Sequence, residues 1–146
     1  MPSAPPETVS AADLEDIRSG AQDLIGYKID LGAADGSARI VLEIDDRHRN
    51  RNRSLHGGIV TMMLDAAAGF ACSRGAGGPG LVPVATVSLT TNYVAPAVSG
   101  VVTATGRVSG GGRSILYAAA ELRDEQGALL ASASGVFKIL RRKEGT

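Results

Sequence analysis

Asp65 places a carboxylate in the middle of GIVTMMLDAAAGFACS, residues 58–73, a run that is otherwise almost wholly apolar. Surrounding an ionised carboxyl with apolar side chains costs on the order of several kcal/mol unless it is paired, hydrogen-bonded or wet. Carboxylates held in such settings concentrate at functional sites, although a narrow polar stripe or a backbone contact would also explain one. Directly upstream stands His56-Gly57-Gly58. Two adjacent glycines let a backbone or a ligand come close, which makes Gly58 as well as Gly57 a candidate substrate contact. The first amides of a helix have no intrahelical acceptor and carry positive partial charge, so the Gly57 N–H suits a carbonyl oxygen that is becoming an oxyanion. His56 reads as the organiser of this turn in preference to a general acid or base. Eight residues separate Gly57 from Asp65, which is about 12 Å along a helix axis. A carboxylate that attacks a carbonyl, or activates water against it, must come within about 3.5 Å. If the two groups cooperate they come from different chains, Gly57 of one facing Asp65 of its two-fold mate, with two equivalent sites per dimer.

Two further segments have anion-binding chemistry. Gly110-Gly111-Gly112-Arg113-Ser114 combines backbone amides, a guanidinium and a hydroxyl, and it reads as an anion site or as an ordinary hairpin turn. Arg47, Arg49, Arg51 and Arg53 form either a phosphate-attracting loop or a solvated surface. Of these candidates Arg113 is preferred. Cys72 has no activating base or cation nearby on its helix and reads as a packed small hydrophobe. Met62 and Met63 read as core or as the lining of an acyl pocket.

The elements that must position these groups follow from the hydrophobic pattern. Residues 1–8 hold three of the six prolines and predict a loose tail, with one domain over 9–140 and a charged tail over 141–146. Ser10 caps a short helix in SAADLEDIRSGAQDL, with Gly20 and Gly26 bracketing its end. YKIDL and SARIVLEID alternate with period two and predict paired antiparallel strands. DDRHRNRNRS, residues 45–54, predicts a loop too polar to pack. Residues 58–73 predict a buried helix that ends in the glycine run Gly75–Gly80. Four β-rich runs follow and imply an antiparallel meander. One buried helix with five or six strands wrapped round it is an α+β domain.

Composition removes other classes. The 146 residues carry 15 basic and 15 acidic side chains and five aromatics, so there is neither a net field nor a stacking surface for nucleic acid. A single cysteine allows no intrachain disulfide and no cysteine-based zinc site. No run of 18 apolar residues is present to span a bilayer, and the first residues lack a signal-peptide pattern, so a cytoplasmic protein is expected.

NRNRSLHGGIVTMMLDAAAGFA followed by TVSLTTNYVAPAVSG resembles the hot-dog-fold acyl-CoA thioesterases of the PaaI-like, His-Gly-Gly group, from about Asn50 to Phe137. The shared pattern is Asn, five residues, His-Gly-Gly, an acid nine positions after the His, and later Tyr-x-x-Pro-Ala. The resemblance implies a hot-dog fold and hydrolysis of a small or medium acyl-CoA without metal or organic cofactor, coenzyme A being part of the substrate. It also implies a homodimer at least, with a tetramer as a further option. It assigns Asn50 to orienting the thioester or the nearby loop and Gly57 to the oxyanion amide, and it makes Asp65 of the partner nucleophile or general base. Thr86 would position water or the carboxylate, and the Gly112–Ser114 turn would meet the nucleotide end. The group commonly has glycine three residues before the His, where this chain has Arg53. A non-hydrolytic acyl-CoA or acyl-carrier-protein binder is the alternative. A hydratase fits less well, because hydratases usually pair the acid with a His five residues later, where this chain has Phe70.

Overall fold

In the computed structural model, residues 10–78 and 80–141 are described. The chain runs α1 (Ala11–Asp16), α2 (Gly20–Ile25), β1 (Lys28–Asp30), β2 (Ala38–Glu43), a one-turn 3-10 helix (Asp46–His48), α3 (Gly57–Gly75), β3 (Val84–Tyr93), β4 (Val101–Gly111), β5 (Ile115–Arg123) and β6 (Leu129–Ile139). The expected tail over 1–8 lies outside the described residues, as does that over 141–146 except for Arg141.

The first helix departs from expectation by splitting in two. Ser10 caps α1 through a capping box with Asp13, and Ser19 then caps a second helix by accepting from the Gln22 N–H. Gly20 therefore opens α2, and only Gly26, at φ 86°, closes it in the left-handed conformation that glycine tolerates.

All six strands pair antiparallel in the order β1-β2-β4-β5-β6-β3. The expected meander holds only from β4 to β6. Between β2 and β4 the chain first forms α3 and then sends β3 to the far edge of the sheet, beyond β6. The sheet wraps α3, and its inward residues Ile40, Leu42, Val102, Leu122 and Phe137 are buried against the helix residues Met63 and Leu64. One glycine sets how close the helix lies: a Cβ on Gly106 of β4 would overlap the Ala67 carbonyl of α3. No larger residue fits there without lifting the helix off the sheet.

β3 is left as a ten-residue edge strand, exposed over most of its length. Val87 and Tyr93 on it are each 60% exposed. Bare edges of this length are associating surfaces unless something covers them. The helix also departs from full burial. Ile59, Val60, Met63, Leu64, Ala67, Ala68, Ala71 and Cys72 are buried, whereas Thr61, Met62, Asp65, Ala66, Gly69 and Phe70 are half-buried along one side.

Candidate active site

The segment from 45 to 54 is the expected loop apart from one 3-10 turn, but its polar side chains order it and it packs at one residue, contrary to expectation. His48 is buried. Its Nδ1 accepts from the Asp45 N–H at 2.9 Å, so its proton sits on Nε2, 2.7 Å from the Ile25 carbonyl that ends α2. The His48 carbonyl accepts from the His56 N–H at 2.8 Å, which ties this segment to the start of α3. Arg47 pairs with Asp45 and holds that carboxyl below its usual range. Arg49 pairs with Asp46 and donates to the Val98 carbonyl. Arg51 and Arg53 have no partner among the described residues.

Asn50 closes the loop on itself. Its Oδ1 accepts from the backbone N–H of Asn52 at 2.9 Å and of Ser54 at 3.2 Å, which leaves its NH2 facing away from these bonds. Arg53 sits within that turn at φ 62° and is the described residue other than glycine with positive φ. The left-handed region costs a residue with a side chain about 1–2 kcal/mol. That cost gives a backbone reason for the glycine found here in the group the sequence resembles, and the arginine carries the strain.

At the start of α3, His56 is the N-cap, and its Nδ1 accepts from the Gly58 N–H at 2.8 Å. The His56 carbonyl accepts from the N–H groups of Ile59 and Val60. Of the first four amides of the helix, the one at Gly57 has no acceptor among the described residues. His56 is thus an organiser of the turn, and both glycines that follow it lie close under neighbouring rings. A Cβ on Gly58 would meet the His56 ring at 3.0 Å, and one on Gly57 would meet the Tyr93 ring at 3.3 Å. The Tyr93 hydroxyl donates to the Gly57 carbonyl at 3.0 Å and lies 2.7 Å from the Thr61 hydroxyl. Tyr93 therefore fixes the peptide plane next to the free amide. Sequence reading took it only as part of a strand pattern, since contact across 36 residues leaves no local signal.

Asp65 is half-buried, and the Thr86 hydroxyl donates to its Oδ1 at 2.7 Å, leaving Oδ2 unbonded among the described residues. The carboxylate is also felt at Tyr27, whose phenol is raised first by burial and further by the Asp65 charge. The structure keeps Gly57 and Asp65 apart. Asn50, Gly57 and Tyr93 line one cavity of about 340 Å3, whereas Asp65 and Thr86 line another of about 370 Å3. The contacts Gly57–Tyr93, Thr61–Thr91 and Asp65–Thr86 show that α3 runs antiparallel to the edge strand β3, with each half-site at one end of it.

Gly112, Arg113 and Ser114 are exposed at the β4–β5 hairpin and line neither cavity. The Arg113 carbonyl accepts from Arg141, and the Ser114 carbonyl accepts from the Ile139 N–H, so this turn is anchored to the end of β6. Cys72 is fully buried, and burial pushes its thiol up to about 11, in keeping with a packing role. No helix among the described residues is long and apolar enough to cross a membrane.

A family model described as "Thioesterase superfamily" matches residues 52–131. No curated protein matches. Among solved structures, a conserved protein of Pseudomonas aeruginosa is 30% identical, with 86% of this chain and 98% of that one covered and a TM-score of 0.77. A thioesterase of Haemophilus influenzae is 21% identical over 97% of this chain and 99% of its own, with a TM-score of 0.84. The PaaI protein from the phenylacetic acid degradation operon of E. coli is 20% identical over 89% and 91%, with a TM-score of 0.77. At those last two identities the likeness is one of fold, and the fold is the expected hot-dog arrangement of a sheet round one long helix.

Proposed function

From the premise that this chain belongs to the thioesterase superfamily, we propose that it hydrolyses the thioester of a small or medium acyl-coenzyme A in a site shared between two copies. The observation that carries this reading is the separation of one unbonded amide, Gly57 N–H, from one half-free carboxylate, Asp65, at opposite ends of a bare edge strand. Antiparallel pairing of β3 with the β3 of a second copy, about a two-fold axis, interchanges the two ends. The Gly57 end of one protomer then meets the partner's Asp65. The same operation covers the half-exposed side of α3, on which Asp65 lies.

In that site the substrate carbonyl accepts from Gly57 N–H, and the dipole of α3 favours the negative charge that grows on the oxygen. Asn50 has its NH2 available at the same cavity. In each protomer the Thr86 hydroxyl holds one oxygen of that protomer's own Asp65 and leaves the other free to face the carbonyl in the shared site. Either that oxygen adds to the carbonyl carbon, expelling thiolate and leaving an acyl-aspartyl anhydride that water opens, or it takes a proton from water as the water adds. In both routes the C–S bond breaks, the thiolate is protonated, and the carboxylate is regenerated.

The test is thiol release from a panel of acyl-CoA thioesters, followed with a thiol-trapping dye. Wild type is expected to release thiol from at least one of them, and Asp65→Asn to lose at least about 100-fold while remaining folded. Full activity of Asp65→Asn would remove this residue from the chemistry. Tight binding of acyl-CoA without thiol release would instead make the protein a carrier.

A further inference from the structure

We propose that the cavity beside Asp65 is the acyl pocket, that it selects uncharged apolar acyl groups of moderate length, and that Gly69 sets its usable depth; this rests on the thioesterase reading above. The cavity is lined by Asp65 and Thr86, by Leu81 and Pro83, by Ile17 at the C-cap of α1 and by Phe137 of β6. Its volume of about 370 Å3 is at the low end for small-molecule sites. The hydroxyls that line it are already engaged: Thr86 donates to Asp65, and Ser73 donates to the Val82 carbonyl at 2.6 Å. No cation lines it. A carboxylate at the far end of an acyl chain would find no partner there and would share the cavity with the negative charge of Asp65.

Gly69 lies four residues after Asp65 and so on the same side of α3, one turn further from the reacting carbonyl. A glycine within a helix costs roughly a factor of five in local stability relative to alanine. Within the single chain neither backbone nor packing calls for it. Gly69 is not among the glycines with positive φ, and a Cβ on it would meet the Phe137 ring at 3.5 Å, ordinary van der Waals contact. What the missing side chain leaves is space in the cavity beside the carboxylate. Gly106, by contrast, has a backbone neighbour that excludes a larger residue, and a Cβ on Gly57 or Gly58 would press a neighbouring ring at 3.3 or 3.0 Å.

The experiment measures kcat/KM by thiol trapping for acetyl-, butanoyl-, hexanoyl-, octanoyl- and glutaryl-CoA, using wild type, Gly69→Ala and Gly69→Val. In wild type the value is expected to rise with chain length by up to about fourfold per methylene buried, with glutaryl-CoA at least about tenfold below hexanoyl-CoA. Gly69→Val is expected to lower octanoyl-CoA at least about tenfold more than acetyl-CoA, with Gly69→Ala intermediate. A common factor lost across all chain lengths would assign the cavity to the carrier portion of the substrate and overturn the proposal, as would an unchanged profile. Calorimetric titration of Asp65→Asn with octanoyl- and acetyl-CoA, with and without Gly69→Val, reads the pocket apart from turnover. A preference for octanoyl that valine removes supports the assignment, and equal affinities refute it, even for a protein that hydrolyses nothing.

Discussion

Deleting one hydrogen tests both the oxyanion donor and the shared site. Gly57 is the first residue of α3, its N–H has no acceptor among the described residues, and His56 before it has φ −59° and ψ 132°. Proline is well suited to the first helical position, and this extended conformation is the one it tolerates in the residue ahead of it. Gly57→Pro therefore removes the proposed donor without breaking a helix bond. Its Cβ meets the Tyr93 ring at 3.3 Å, so that ring must shift by a few tenths of an ångström. Gly57→Ala adds the same Cβ and keeps the N–H, so the ratio of the two variants isolates the donor. That ratio is expected to be about 100- to 1000-fold in kcat, equivalent to about 2.7–4 kcal/mol of transition-state stabilisation. Mixing then locates the second group. Gly57→Pro homodimers and Asp65→Asn homodimers are each inactive, but a heterodimer has one intact site, built from Gly57 of the Asp65→Asn chain and Asp65 of the Gly57→Pro chain. Random reassortment makes about half of the dimers heterodimers, each with one site of two, so about a quarter of wild-type activity is expected to return. Thiol release is measured before and after reassortment, with heterodimers counted by native mass spectrometry. Equal rates for the proline and alanine variants would refute the donor. Heterodimers that form without recovering activity would refute the intersubunit site.

Tyr93→Phe keeps the ring on Gly57 but deletes the hydroxyl that bonds its carbonyl, a bond worth about 0.5–1.5 kcal/mol. The expected result is a fall in kcat of about 2- to 10-fold with KM little changed, and an unaltered kcat would show that the Gly57 peptide needs no such anchor. Gly106→Ala drives a Cβ into the Ala67 backbone, so the urea midpoint is expected to drop by about 1 M or more, as overpacking against immovable backbone costs about 1–3 kcal/mol. The Cys72 thiol, pushed up to about 11 by burial, is expected to resist a maleimide at pH 8 in the native protein and to react once urea unfolds it. Its contribution to stability is full below about pH 9, the ordinary value, and declines between about 9 and 11, where the unfolded thiol loses its proton and the folded one keeps it. Urea midpoints of wild type should therefore fall more steeply than those of Cys72→Ala over that range, and parallel slopes would contradict the assignment.

The strands were legible from their β-rich runs between turn residues, and the long helix from an unbroken apolar run that begins at the glycine pair and ends in the glycine run the sequence marks. What stayed hidden was contact between distant positions. Ser19 looks like an ordinary helix residue until the chain pauses before it and it becomes a cap. His48 sits in the most charged stretch of the chain, where composition argues for solvent. The imidazole is buried all the same, because Asp45 N–H and the Ile25 carbonyl satisfy both of its nitrogens. The arginine-rich loop, taken as a single feature in sequence, divides in the structure. Arg47 and Arg49 hold the backbone, while Arg51 and Arg53 are the pair without partners among the described residues. Asp65 and Thr86 are 21 residues apart and meet only because β3 crosses to the far edge of the sheet beside α3.

Residues 58–73 are apolar nearly all round, which for a helix demands burial on every side, yet one chain buries only one side of α3. A single six-stranded sheet has one inner face, and that face is filled by Met63, Leu64, Ala67 and Ala68. The apolar residues Met62, Ala66 and Phe70 on the other side are only half-buried among the described residues, and they share that side with Asp65 and Gly69. A sequence that encoded a monomer would place solvating charges there, as β4 and β5 do on their outward faces with Arg107, Glu121 and Arg123. The proposed shared site would give this side of α3 a second surrounding, another copy of the chain. Asp65 sits on that same half-buried side, where the proposed shared site needs it.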